Sequence, residues 1–132
     1  MSIERVNPPE LARPVGYSHA VVASGRVVFL AGQTALAHSG ELVGGPVVEQ
    51  FERALGNLLT ALAAAGGRAE DLASVTIYAT DIPDYRAHAS EIGEVWRSLV
   101  GREYPAMAVV GVERLWDADA VVELQGIAVL PA

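Results

Sequence analysis

The chain of 132 residues is 52 % hydrophobic, which is enough for one domain whose core needs no disulfide or metal to hold it together. Its net charge is −7, and its nine cationic side chains are all arginines scattered singly along the chain, which disfavours binding to nucleic acid. The absence of cysteine excludes thiolate nucleophiles and cysteine-ligated zinc, and it is typical of a reducing compartment.

The beginning of the chain, MSIERVNPPE, lacks the basic region and the apolar run of a signal peptide. No apolar stretch approaches the roughly 18 residues that are needed to span a bilayer. We therefore expect a cytoplasmic protein with neither a membrane nor a nucleic acid as partner, and we expect residues 1–132 to form a single domain.

The first part of the chain predicts three strands. Ile3–Val6 forms the first, and the prolines that follow it keep the next segment extended. Residues 20–24 and 27–31 form two β-rich runs that are separated only by Gly25 and Arg26. Because glycine at the first position of a two-residue turn accepts a positive φ, we expect these two runs to pair as a type II′ hairpin.

Polar groups stand at the open end of this predicted hairpin. Tyr17 and His19 come just before its first strand, and Gly32 and Gln33 come just after the apolar part of its second strand. The missing side chain of Gly32 lets another group approach the backbone closely. The hairpin end is therefore a candidate rim for a binding pocket.

The chain then changes to a helical period at Pro46. Its apolar residues recur at i, i+4, i+7 and i+11, as Phe51, Leu55, Leu58 and Leu62. Proline is favoured in the first turn of a helix, and Gly66 and Gly67 are suited to a left-handed cap at its far end. This pattern predicts one long amphipathic helix.

The remaining chain predicts a strand, a helix and two more strands. Residues 72–80 alternate between apolar and polar, as a half-buried strand does. Asp81 is a candidate N-cap for a helix that runs to Leu99 and buries Ile92, Val95, Trp96 and Leu99. Residues 105–112 and 120–130 are apolar strands.

The resulting order is β-β-β-α-β-α-β-β, which predicts a two-layer α+β domain with a mixed sheet of about six strands and two helices on one face. Both final strands carry apolar residues on both of their faces. Two helices cover one side of a sheet, so the other side is left apolar. An apolar face of this size in a small protein favours association with copies of the same chain.

Two polar residues interrupt the last strand. Glu123 and Gln125 lie on the same face as the apolar residues at 127 and 129, because side chains alternate along a strand. A buried carboxylate must be paired, hydrated or shifted in its pKa. Glu123 is therefore either paired with an arginine, such as Arg26 or Arg114, across strands or subunits, or it has a catalytic role.

Three aromatic or imidazole side chains each have two possible roles. Tyr17 either lies at the edge of the core with its hydroxyl in water or contacts a ligand. His19 is either a partly buried strand residue or part of a pocket wall. Trp116, in the loop RLWDAD, either caps an interface or covers an edge of the core.

The sequence contains none of the common motifs for metal or nucleotide binding. Its three histidines, His19, His38 and His88, are too dispersed for a local zinc motif. A phosphate-binding loop, a dinucleotide-binding glycine pattern and a GxSxG elbow are also missing. We therefore expect no metal and no cofactor.

In their order and spacing, several segments resemble the Rid (YjgF-like) imine deaminase family over nearly the whole chain. These are GYSHA, VVFLAGQ, QFERALGNLLTAL, SVTIYATDI, YPA and VELQGIA. The resemblance implies a chorismate-mutase-like α+β fold and a homotrimer whose sheets build an inner barrel, with ligand clefts between subunits. It also implies cofactor-free hydrolysis of 2-imino or enamine acids to 2-keto acids and ammonia.

The chain departs from the family at the residues that this reaction uses. The arginine that binds the substrate carboxylate in the family is replaced by Met107, and an acidic residue is replaced by Gln125. An asparagine that is common on the second helix also has no counterpart, since Ala89 lies near its place. Methionine cannot form the bidentate contact of arginine with a carboxylate.

Other positions match the family: by the resemblance, Tyr17, Gly32 and the backbone of Val109 occupy positions that the family uses for its ligand. For an enzyme of this kind we expect Tyr17, Gln125 and Glu123 to be the catalytic residues. Tyr17 then positions the ligand, the Val109 carbonyl holds water, and Gln125 and Glu123 orient that water. Gly32, Gln33, Met107, Val109, His19 and Trp116 then form the ligand-binding set.

Two hypotheses follow for the function. The chain is either a divergent enzyme that hydrolyses a small imine or enamine other than a standard 2-imino acid, or a non-catalytic trimer. Such a trimer binds a small metabolite or has a regulatory role through contact with another protein. The loss of both polar groups at the family's site supports the second hypothesis. Ribonuclease activity is disfavoured, because the net charge of −7 comes with no basic patch.

Overall fold

The strands and helices follow one another almost as the sequence predicts, in a computed structural model that describes residues 3–132. Met1 and Ser2 of the predicted domain lie outside the described residues. The bounds are β1 Ile3–Val6, β2 Ala20–Ala23, β3 Arg26–Gln33, α1 Val47–Ala64, β4 Leu72–Ala79, α2 Ile82–Ala87, α3 Ala89–Leu99, β5 Ala106–Gly111 and β6 Val122–Leu130. A short 3₁₀ turn, Ala69–Asp71, leads into β4.

The six strands are divided between two sheets. The larger has the order β3-β6-β4-β5, in which β6 is antiparallel to both of its neighbours and β4 is parallel to β5. The strands β1 and β2 form a separate antiparallel ribbon. A single bridge between Ser18 and Ala106 places the start of this ribbon beside β5. The predicted α+β class with a mixed sheet is confirmed.

The predicted hairpin between residues 20–24 and 27–31 is wrong. β2 pairs with β1, and β3 pairs with β6. Gly25 does have a positive φ of 143°, but a Cβ at this position would collide with the carbonyl oxygen of Leu130. The glycine is needed because the chain at this point runs very close to the backbone at the end of β6. The residues around Gly25 have the same sequence pattern as a tight turn, which explains the wrong prediction.

The helix α1 supplies most of the core on one face of the larger sheet. Phe51, Leu55, Leu58 and Leu62 are fully buried, as their spacing predicts. The backbone N–H groups of Gly66 and Gly67 donate to the carbonyls of Ala63 and Leu62, which closes the helix with a Schellman motif.

The predicted second helix is two helices, α2 and α3. The Asp81 side chain accepts a hydrogen bond of 3.0 Å from the backbone N–H of Asp84, which confirms the predicted N-cap. α2 ends at Ala87, and His88 is both the C-cap of α2 and the N-cap of α3. Ile92 and Trp96 are buried and Val95 is half-buried, but Leu99 is 39 % exposed, so its predicted burial is wrong.

The other face of the larger sheet is covered by no helix within residues 3–132. Phe29 of β3 is 78 % exposed there, and Val27 beside it is 53 % exposed. Ile127 of β6, the register partner of Phe29, is 38 % exposed, and Val110 of β5 is 41 % exposed. The predicted apolar face is therefore present.

A buried amide holds the loop that precedes β6. Gln50 on α1 is 2 % exposed. Its side-chain nitrogen donates to the carbonyls of Gly45 and Asp119, at 3.1 and 3.2 Å, and its oxygen accepts from the backbone N–H of Val121 at 3.0 Å. Because all of the polar atoms of this side chain are used, the amide joins two loops to the helix.

We expect Gln50→Leu to lower the free energy of unfolding by about 2 kcal/mol, because it leaves backbone groups of both loops without partners while nearly preserving the volume. Denaturant unfolding monitored by circular dichroism measures this change. The matched control is Glu52→Leu at an exposed position of the same helix, for which we expect a change of about 0.5 kcal/mol or less. Equal effects of the two variants would contradict the assignment.

Candidate functional site

A cavity of about 660 Å³ lies between α3, the strand β5 and the segment that precedes β2. Its walls are mostly apolar and aromatic. Tyr17, Met107 and Val109, which the sequence predicts as site residues, all line it. The other residues that matter for its chemistry are Tyr85, Ser90, Gly93, Trp96, Arg97 and Tyr104.

Ser18 fixes the segment that carries Tyr17. Its hydroxyl donates a hydrogen bond of 2.6 Å to the carbonyl of Tyr104, and its backbone N–H donates to the carbonyl of Pro105 at 2.9 Å. Ser18 is 5 % exposed, so these bonds are shielded from water. Tyr17 is therefore held at the wall of the cavity next to the start of β5.

His19 supports Tyr17 and does not line the cavity. The two rings meet edge to face with their centroids 5.1 Å apart. The Nε2 atom of His19 is 2.7 Å from the carbonyl oxygen of Ala12, and its backbone N–H donates to the Asn7 side chain at 2.7 Å. These contacts place His19 behind Tyr17, where it stabilises the loop.

The edge of the sheet at β5 is open beside the cavity. β5 pairs only with β4 among the described residues, and the bridge from Ser18 reaches it at Ala106 alone. Its free edge from Met107 to Gly111 therefore has backbone groups that no strand within residues 3–132 satisfies. Such an edge can hold a water molecule, a ligand or another chain.

Arg97 is the only charged residue that lines the cavity within the described chain. It is half-buried on α3, and its guanidinium folds back over Gly93, one turn earlier in the helix. A Cβ at Gly93 would lie 3.1 Å from the Nη1 atom of Arg97. This distance is shorter than most Cβ contacts, so an alanine at 93 requires the guanidinium to shift by a few tenths of an ångström.

Tyr85 and Trp96 form the floor of the cavity. Burial raises the pKa of Tyr85 from the ordinary 10.0 to about 12, so this phenol stays neutral at a pH at which an exposed tyrosine ionises. The ring of Tyr85 meets that of Phe51 edge to face at 6.4 Å. The indole N–H of Trp96 is buried and has no acceptor among residues 3–132.

Three predicted site residues, Gly32, Glu123 and Gln125, do not line this cavity. Together with Tyr78, which is not among the predicted site residues, we call them the polar cluster. The Tyr78 hydroxyl donates to the side-chain oxygen of Gln125 at 3.3 Å. A Cβ at Gly32 would collide with the Glu123 carboxylate, so the glycine makes room for that group.

The predicted partner of Glu123 is absent within one chain. Ion pairs in residues 3–132 join Arg5 to Glu103, Arg68 to Glu70 and His88 to Asp84, and none of them includes Glu123. Arg114 donates to the carbonyl of Leu115 instead. A pairing of Glu123 across subunits stays a prediction.

Gln33 and Trp116 do not line the cavity. Gln33 ends β3 and is half-buried opposite Leu124. Trp116 is 93 % exposed in the loop that Gln50 anchors. A role for either in ligand binding stays a prediction.

The predicted site residues do not include Ser18, Tyr85, Gly93, Trp96, Arg97 and Tyr104. Gly93 and Arg97 are four residues apart on one helix face, and this spacing is the one sequence pattern that predicts a contact between two of these residues.

Within residues 3–132, no group of three or more His, Asp or Glu residues is arranged to hold a metal ion. No helix in this part of the chain is long and apolar enough to cross a bilayer.

Comparison with known proteins places this architecture in one family. The family model described as endoribonuclease L-PSP matches residues 9–130. A RutC family protein of Pyrococcus abyssi is 30 % identical over 129 residues, which cover 97 % of this chain and 98 % of that protein. A 2-iminobutanoate/2-iminopropanoate deaminase of Dermatophagoides farinae is 30 % identical over 132 residues, which cover 98 % and 99 %.

Solved structures agree with these sequence matches. A crystal structure of a Rid-family protein from Yersinia pestis has a TM-score of 0.89 and 30 % identity, covering 98 % of this chain and all of that one. The fold and cavity define a two-layer α+β domain with a cleft beside an open sheet edge. The chain belongs to the Rid (YjgF-like) family, and the resemblance predicted from its sequence motifs is confirmed.

We expect the stability of the protein to fall between about pH 10 and pH 12 through Tyr85. The unfolded chain loses the phenolic proton at the ordinary value of 10.0, whereas the folded protein keeps it to about 12, so deprotonation favours unfolding in this window. The loss amounts to about 2–3 kcal/mol. Denaturant unfolding of wild type and Tyr85→Phe across this range measures it, and parallel curves would contradict the assignment.

Proposed function

We propose that the protein hydrolyses a small imine or enamine, other than a standard 2-imino acid, without a cofactor. The observation that carries the proposal is the cavity that brings Tyr17, Met107 and Val109 together in a chain of the Rid family. Relatives that are about a third identical over most of their length are 2-iminobutanoate/2-iminopropanoate deaminases. A cytoplasmic location fits the absence of cysteine.

The reaction needs only water. An enamine first takes a proton on carbon to give the imine, and water then adds to the C=N carbon. The resulting amino alcohol breaks its C–N bond, so that one imine and one water give one carbonyl compound and one ammonia. Tyr17 positions the ligand, and the backbone carbonyl of Val109 on the open edge of β5 holds the water.

The site is incomplete in one chain, and we propose that it is completed in a homotrimer. Tyr17, Met107 and Val109 line the cavity, whereas Glu123 and Gln125 of the polar cluster do not. Glu123 is the group best suited to move a proton, because the amide of Gln125 does not ionise near neutral pH. The exposed apolar face around Phe29 and Ile127 is suited to a contact between copies.

Met107 argues against a standard 2-imino acid as substrate. Its side chain is half-buried and packs against the core, so the place of the family's carboxylate-binding arginine is occupied by a thioether. A carboxylate next to the imine carbon would lose a bidentate contact there. The aromatic and apolar walls favour a less polar group at that point.

The alternative function is binding of a small metabolite without turnover. The observation that favours it is that the cavity of one chain contains no carboxylate and no histidine among its lining residues. Any proton transfer to a bound imine would need the polar cluster of a second copy. Without that cluster, the cavity binds its ligand and does not convert it.

We expect the protein to release ammonia faster from neutral imines than from 2-iminobutanoate. Imines are generated in situ by an amine oxidase or an amino-acid oxidase, and ammonia is measured with and without the protein. Tyr17→Phe should lower the rate about tenfold or more, because the hydroxyl no longer positions the ligand. Saturable binding of carbonyl products without turnover of any imine would favour the alternative.

Met107→Arg is the matched gain-of-function control in the same assay. It should raise kcat/KM for 2-iminobutanoate about tenfold or more by restoring a carboxylate contact. Rapid hydrolysis of 2-iminobutanoate by the wild type, with no gain in this variant, would contradict the proposal that Met107 disfavours 2-imino acids.

Cleavage of RNA is followed in parallel, and we expect none because the chain has a net charge of −7.

We expect Phe29→Glu to convert the homotrimer into monomers, because it places a charge in the centre of the apolar face. Light scattering after gel filtration measures the mass, and circular dichroism shows that the subunit is still folded. The control is Val43→Glu, at an exposed apolar residue that lies outside the strands of the sheet. A monomeric wild type, or a trimeric and fully active Phe29→Glu variant, would contradict the inter-subunit site.

A further inference from the structure

We propose that Arg97 is the anion-binding residue of the cavity and that the ligand has a carboxylate remote from its reacting carbon. This inference rests on the proposed function for the imine chemistry and deepens it by naming the substrate class. Arg97 stands on α3, whereas Met107 stands on β5, so the two residues belong to different walls. A ligand that spans them places its anionic group at α3 and its imine carbon near β5.

No charged side chain among residues 3–132 pairs with Arg97. No ion pair or hydrogen bond within residues 3–132 involves its guanidinium, although the side chain is half-buried. The residues that line the cavity contain no acidic side chain. A half-buried cation in mostly apolar surroundings lacks part of its hydration, so a ligand carboxylate there forms a strong, charge-assisted contact.

The helix is adapted to this position of the guanidinium. Glycine inside a helix costs about 0.5–1 kcal/mol relative to alanine, and Gly93 is in the middle of α3. The 3.1 Å distance between a Cβ at this position and the Nη1 atom of Arg97 supplies a reason for the glycine. A methyl group at 93 requires the guanidinium to shift by a few tenths of an ångström from its present place.

The ordinary explanation of Arg97 is an interaction with the helix dipole, and the geometry does not favour it. Cations in the last turn of a helix are stabilised by the free carbonyls at its C-terminus. Arg97 is in the last turn of α3, but its guanidinium lies over Gly93, towards the N-terminus. The charge therefore points away from those carbonyls and along the cavity wall.

Binding of stable ketones tests the proposal without any turnover. Levulinate has a ketone carbon two methylenes from its carboxylate, methyl propyl ketone is its neutral analogue, and 2-oxobutanoate has the carboxylate next to the ketone. Isothermal titration calorimetry at millimolar concentration gives the three Kd values. We expect wild type to bind levulinate about tenfold more tightly than either of the other ketones.

Substitutions at Arg97 then separate charge from structure. Arg97→Met should abolish the preference for levulinate, and Arg97→Lys should restore part of it, which a purely structural role would not do. Arg53→Met is the matched control, because Arg53 is exposed on α1 and does not line the cavity. We expect the control to bind like wild type. Unchanged levulinate binding in Arg97→Met, or no levulinate binding by wild type, would overturn the proposal.

Gly93→Ala gives a second, independent readout. We expect this variant to have a higher Tm, because alanine is the better helix former, and yet a several-fold weaker affinity for levulinate. A variant that gains stability and keeps full affinity would contradict the role assigned to the glycine.

The two proposals fail separately. Levulinate binding that depends on Arg97, in a protein that hydrolyses no imine, would sustain the anion-binding residue and refute the hydrolase. Turnover of neutral imines that Arg97→Met leaves unchanged, with levulinate binding also unchanged, would sustain the hydrolase and refute the anion-binding residue.

Discussion

The helices of this protein cover one face of its four-stranded sheet, and the rest of the structure depends on that one-sided coverage. α1 buries its apolar stripe against β3 and β6, while Phe29 and Ile127 on the opposite face are exposed to solvent. The same arrangement leaves β5 as a free edge beside α3, where the cavity forms. The one-sided coverage leaves the apolar face exposed, and the position of β5 at the edge of the sheet leaves room for the cavity beside α3.

Much of the fold was predictable because its strongest elements have local causes. The spacing of Phe51, Leu55 and Leu58 predicts α1 from its own residues alone. The pairing of the strands has non-local causes, and there the prediction failed. A glycine in a tight turn and a glycine that lies against another strand, as Gly25 lies against Leu130, have the same neighbours in sequence. Only the position of β6 in the fold distinguishes the two cases.

The site was predictable only in part. Family motifs led to Tyr17, Met107 and Val109, and these residues do line one cavity. Arg97 was missed because an arginine in the last turn of an amphipathic helix has the pattern of an ordinary surface charge. Its place beside the cavity follows from the packing of α3 against α1 and from the space over Gly93, neither of which can be read from spacing along the chain.

The unpaired edge of β5 has a consequence for how such a site can change its specificity. Its hydrogen-bonding groups belong to the main chain, so they persist whatever side chains occupy Met107 and Val109. Replacements at these positions alter the size and polarity of the cleft while the groups that can hold a water molecule stay where they are. Substitutions in this strand can therefore change the walls of the cavity without removing the main-chain hydrogen-bonding groups along its edge.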